Sequence, residues 1–169
     1  GSVTALATAN LGLSGGSLNV GNSGVLTANG SSVSIVNVTV TGGASGQITV
    51  TTGRWTVRGN WDTSGAGSAF SKGTSTVMLS GAAKTVRILN SANGFNNLTI
   101  TGTLTQAGAI DVSGTLAITG TLTTAGNGIT GGAQLTISGG GSLIGSTSTI
   151  SVAGVTMNDA AANTLSLTT

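Results

Sequence analysis

Residues 97–126 read NLTITG, TLTQAG, AIDVSG, TLAITG, TLTTAG, a run of consecutive six-residue units. Gly102, Gly108, Gly114, Gly120 and Gly126 close the units, and Leu98, Leu104, Ile110, Leu116 and Leu122 hold the second place. The fourth place is Ile100, Gln106, Val112, Ile118 and Thr124. Side chains two positions apart share one face of a strand. Each unit therefore predicts a short strand with one or two inward side chains and a glycine at the bend that follows. One such unit cannot cover its own apolar face. Three in succession make a triangular coil, and stacked coils bury a continuous aliphatic column. The longer period agrees: LTITGTLTQAG from Leu98 realigns with LAITGTLTTAG from Leu116, and then with LTISGGGSLIG from Leu135. Leu98, Leu116 and Leu135 are the predicted core column.

Outward from this stretch the vocabulary is the same. SLNVGNSGVLTANG (17–30), VSIVNVTVTG (33–42) and QITVTTG (47–53) are alternating or β-branched runs separated by Gly, Asn and Ser. The expected fold class is all-β, a parallel β-helix (β-solenoid) of about 18–20 residues per coil, right-handed, with some eight or nine coils over about 40 Å. One domain spans 1–169: irregular coils in 1–53, wider coils with Trp and basic residues in 54–96, and hexad coils in 97–169. The alternative is a sandwich of antiparallel hairpins, for which Asn-Gly at 29–30 and 127–128 speaks. The six-residue spacing speaks against it, because sandwich strands recur about every 8 to 12 residues.

Composition narrows the function. The 169 residues include 30 glycines and no proline, cysteine, histidine or tyrosine, and only 5% are charged, against about a quarter in ordinary domains. With 38% hydrophobic residues the chain has enough apolar surface to fold. Two Trp and two Phe leave the core to aliphatic side chains. A net charge of +2 does not point to a nucleic-acid partner. No apolar run is long enough to span a membrane. The lack of cysteine excludes disulfides and thiolate metal sites and suits a secreted or cell-surface protein. Without His or Cys the usual catalytic triads and zinc sites cannot form, so no catalytic, cofactor or metal residue is expected and the chain reads as a non-enzyme. The acids are Asp62, Asp111 and Asp159. Asp111, between Ile110 and Val112, is expected to point outward into solvent. No Asp-x-Asp run suggests calcium.

Two binding surfaces are conceivable. Arg54 and Arg58 flank Trp55 and precede Trp61, a basic and aromatic grouping of the kind that binds surface glycans; the competing reading packs both indoles inside. Thr103, Thr105, Thr121 and Thr123 form two Thr-x-Thr pairs one coil apart, an outward hydroxyl array like that of ice-binding solenoids, although Ser142-Leu-Ile144 does not continue the motif. Asn29, Asn37 and Asn97 each begin an Asn-x-Ser/Thr triplet, common by chance in such a chain.

The segment 54–102 also resembles a repeat of large secreted and cell-surface proteins, with the pattern W…GNW…F…G.STV.FSG…QTI…..F.NLTI.G. The matching residues are Trp55, Gly59-Asn60-Trp61, Phe70, Gly73, Ser75-Thr76-Val77, Gly81, Phe95 and Asn97-Leu98-Thr99-Ile100. Lys84-Thr85-Val86 stands for Gln-Thr-Ile, and Leu79 for Phe. The hexads are similar to filamentous-haemagglutinin-like adhesin solenoids. This resemblance implies an extracellular structural protein: a segment of a longer adhesin shaft, or a subunit of a filament or envelope layer. Its partners are then adjoining domains or further copies of itself. Neither end carries a helix, Lys, Arg or Pro to block strand pairing.

Overall fold

The computed structural model describes residues 2–4, 10–12, 16–21, 24–41, 46–65, 69–158 and 161–168. It is a three-sided parallel β-solenoid of about seven turns. The first face stacks Ser2–Thr4, Val25–Asn29, Gln47–Val50 and Ala69–Ser71. The second stacks Asn10–Gly12, Ser32–Ile35, Arg54–Val57, Thr76–Leu79, Asn97–Ile100, Thr115–Ile118, Gln134–Ile137 and Gly154–Met157. The third stacks Leu18–Gly21, Val38–Thr41, Trp61–Thr63, Lys84–Ile88, Thr103–Gln106, Thr121–Thr123, Ser142–Ser146 and Thr164–Thr168. Every strand pairing among the described residues is parallel. The sandwich alternative therefore fails. Asn29-Gly30, its best support, turns the corner between the first and second faces, with Asn29 at φ 43.

Alternation builds the core. On the second face Leu98 lies opposite Leu116, and Leu116 opposite Leu135, all fully buried. Beside them runs a second column, Ile35, Val57, Leu79, Ile100, Ile118 and Ile137, none of it exposed. The polar fourth-place residues Gln106 and Thr124 are buried too; the Gln106 amide donates to the carbonyls of Gly108 and Gly128 at 3.3 and 3.0 Å.

The coil length departs from expectation. The step is 18 residues where Leu98 meets Leu116 and Leu104 meets Leu122, and 22 where Val33 meets Trp55 and Trp55 meets Val77. The wide coils are not confined to 54–96, because Val25 already pairs with Gln47. Larger contents need a longer perimeter, and the middle coils enclose Trp55, Trp61, Phe70 and Phe95.

The corners correct another expectation. Gly102 and Gly120 do not have positive φ, so bending is not why they are glycine. A methyl on Gly120 would run into the carbonyl oxygen of Gly102, and one on Gly102 into that of Gly81. These glycines let successive corners touch backbone to backbone. Gly120→Ala is therefore expected to cost about 1–3 kcal/mol as overpacking. At Gly108 an added Cβ would meet only the flexible Arg87 side chain, at 3.2 Å. Gly108→Ala should stay within about 0.5 kcal/mol of the parent, and thermal melts of the two variants check the contrast.

Asparagines lace other corners. The Asn37 side-chain oxygen accepts from the Asn60 backbone N–H at 2.8 Å, and that of Asn60 from Thr85 N–H at 3.0 Å. Asn97 receives Thr115 N–H in the same way, at 3.0 Å. Asn37 and Asn97, two of the triplet asparagines, thus serve as structural caps.

Candidate functional site

The first face is where regularity breaks. After Ala69–Ser71 the next coil puts a 3-10 turn, Ser91–Asn93, in the strand position. The segment LNSANG (89–94) is rich in residues that favour turns over strands. Asn93 takes over the role of the missing strand: its buried side-chain oxygen accepts the Phe70 backbone N–H at 2.7 Å. Its amide nitrogen donates to Asn90 Oδ1 at 2.9 Å. Beyond the turn the face resumes as the short pair Ile110–Asp111 and Ile129–Thr130.

Asp111 sits at this break, and it is not the solvated side chain that alternation predicts. Its neighbours Ile110 and Val112 do point inward and are fully buried. Asp111 nevertheless retains only 8% exposure, because Gly94 lies against it and Lys72 reaches across the turn from the coil below. The Lys72 ammonium is 3.6 Å from Asp111 Oδ1, and Thr130 Oγ1 donates to Oδ2 at 3.0 Å. A cleft of about 110 Å³ beside them is lined by Ile88, Leu89, Asn90, Ser91, Ala109, Ile110, Asp111 and Thr130. Typical small-molecule pockets are about 300–1,000 Å³, so the cleft is small for a sugar. The cluster works as a strap that ties the coils on either side of the turn. Removing the charge with Asp111→Asn is expected to cost about 1 kcal/mol, read as a lower urea midpoint at low salt and a smaller difference at high salt.

Asp62 is a turn residue: Oδ1 accepts from the backbone N–H and hydroxyl of Ser64 at 2.9 and 2.6 Å. Asp159 lies outside the described residues. Among the described residues no three His, Cys, Asp or Glu side chains gather to hold a metal ion. Among the described residues no helix is long and apolar enough to cross a membrane.

The glycan platform is corrected outright. Trp55 and Trp61 are both 0% exposed, in a cluster where Trp61 lies 6.2 Å from Trp55, 5.0 Å from Phe70 and 5.2 Å from Phe95 between ring centroids. Arg54 and Arg58 are exposed on the other side of the sheet, where their guanidinium groups reach Met78 Sδ at 3.1 Å and Ser34 Oγ at 3.0 Å. Strand parity separates them from the indoles, so no basic and aromatic surface forms.

The four threonines fall into two rows on adjacent strands. Thr103 lies opposite Thr121 and Thr105 opposite Thr123 on the third face. The first row continues through Ser142 to Thr164. The second begins earlier, at Thr85, and is interrupted by Ile144 before Ser166. From Thr103 to Thr168 the outward side chains of this face are mostly hydroxyls, with Ile144 the exposed apolar interruption, while Asp62, Lys84 and Arg87 lie on its earlier strands.

The arrangement is that of a β-solenoid scaffold. No protein-family model, curated protein or solved structure matches the chain.

Proposed function

We propose that this chain is a rigid, non-enzymatic segment of an extracellular structural protein, a cell-surface adhesin shaft or a subunit of a filament or envelope layer. One observation carries the reading. Fully buried aliphatic columns run through successive coils, under outer faces of small, mostly uncharged side chains. Such a body resists bending and offers little acid, base or metal chemistry. Its charged groups serve the architecture, as Asp62 and Asp111 do. The resemblance of 54–102 to secreted repeat proteins supports the same reading.

Small-angle scattering of the isolated chain tests it. About seven turns at roughly 4.8 Å each give a rod of about 35 Å that keeps its dimensions as salt and pH vary. A flexible chain, or catalytic turnover lost on Asp111→Asn, would sink the proposal. A second reading is favoured by the extended hydroxyl row: the third face binds an ordered surface such as ice. Thermal hysteresis that disappears in Thr121→Lys would establish it.

A further inference from the structure

All the basic residues of the chain fall between Arg54 and Arg87, and the structure uses them unequally. Lys72 is paired with Asp111, and Arg87 lies opposite Asp62 in the register of the third face. Arg54, Arg58 and Lys84 have no ion pair among the described residues. Both arginines are exposed on the outer side of the second face, where each guanidinium rests on a neutral atom of an adjacent coil. Arg54 donates to Met78 Sδ in the next coil at 3.1 Å, and Arg58 to Ser34 Oγ in the preceding one at 3.0 Å. Ser34, Thr56 and Met78 are register partners, so the two heads lean onto one column from opposite ends. They flank the half-buried Thr56, two coil spacings or about 10 Å apart. A thioether is a weak acceptor, and a guanidinium carries several donors in a rigid fork. Most of each fork is therefore left for a ligand. Lys84 adds a third cation at the start of the neighbouring strand on the third face, where Gly81 lies against both the Arg58 backbone and the Lys84 stem.

We propose that this surface binds an acidic polysaccharide, a linear chain that carries carboxylates on hydroxyl-bearing rings. Guanidinium forks match carboxylates in bidentate geometry. Outward hydroxyls of Ser32, Thr56, Thr76 and Ser80 surround the two forks and match the hydroxyls of sugar rings. The column from Ser34 to Met78 runs along the solenoid axis, so a polymer laid on it engages both forks at once, the second with the advantage of being already tethered. Recognition is by charge and hydrogen bonding, because both Trp and both Phe are buried and the chain has no Tyr. That also speaks against nucleic acid as the occupant. There is no exposed ring on which bases stack, and so few cations neutralise few phosphates.

Isothermal titration of the full chain with polygalacturonate at low salt tests this. Wild type should bind, and the affinity should fall as salt is added, because the site is exposed and open to screening. Arg54→Gln and Arg58→Gln should each weaken binding about threefold, and the double variant about tenfold. Both side chains are exposed, so the thermal melts of these variants should follow the parent. Arg87→Gln removes the same charge from the third face and should change the affinity less than about twofold. Dextran, a neutral polysaccharide, should not bind. Three results would each overturn the proposal: no binding of polygalacturonate at low salt, a loss in Arg87→Gln equal to that in Arg58→Gln, or polycytidylate bound as tightly as polygalacturonate. The second would mean that only net charge matters, and the third that the surface is a general polyanion site open to nucleic acid.

Discussion

Trp61→Ala is expected to destabilise the protein by about 3–5 kcal/mol, the range for truncating a fully buried large aromatic side chain. Trp61 is unexposed and contacts rings from three successive coils: Trp55 beside it, Phe70 in the next coil and Phe95 in the one after. Edge-to-face pairs of this kind add about 0.5–1.5 kcal/mol each beyond their burial. The hole cannot be closed by a local shift, because the backbone around it is fixed in the ladders to Val38 and Val86. The indole N–H has no acceptor, so little polar interaction is lost on substitution. Trp61→Phe should therefore cost far less, roughly 1.5 kcal/mol or below. Guanidinium titrations of the two variants separate packing from surface chemistry. If Trp61→Ala melts like the parent, the four-ring cluster is not what holds the wide coils together.

The same cluster shows what the sequence makes legible. Arg54-Trp55-Thr56-Val57-Arg58 alternates strictly, and Val57 is a plain core residue. Parity alone therefore places Trp55 inside and both arginines outside. The grouping of basic and aromatic residues misleads only when strand direction is ignored. In 97–137 the six-residue spacing exposes strand, corner and stacking register together, because each side of the triangle has the same length. In the wide coils the sides differ, corners vary in composition, and period cannot be read by realignment. Asp111 was illegible for another reason. Its parity is outward, as alternation requires, and its burial comes from a turn 89–94 and from Lys72, far away in sequence and close only once the first face breaks. The corner glycines were identified correctly as to place. At Gly102 and Gly120 the cause, contact between stacked backbones, belongs to the relation between coils and not to any one hexad, whereas Gly126 does take the positive φ that a bend asks for.

Leu116→Asp should have the largest effect of any single change in the hexad coils. Leu116 is fully buried between Leu98 and Leu135, and its column offers no hydrogen-bond donor on the side facing the core. An unpaired carboxylate there carries a desolvation penalty of several kcal/mol. Leu116→Met, which keeps volume and polarity nearly constant, should cost less than about 1.5 kcal/mol. Coils in a solenoid are stabilised chiefly by their neighbours, so the damage should spread to both adjacent coils before it reaches the aromatic cluster. Limited proteolysis is then expected to cut within 97–137 while leaving the Trp-bearing coils protected. The sign of the pH dependence is also fixed. Burial raises the pKa of the introduced carboxyl in the folded state above its unfolded value of about 3.9, so stability is greatest below that value and is lost as pH rises through the folded pKa. The variant should therefore recover part of its lost stability on acidification, whereas Leu116→Met should follow the parent at every pH. Equal melting of Leu116→Asp and parent at neutral pH would mean that the leucine column does not bear the stack.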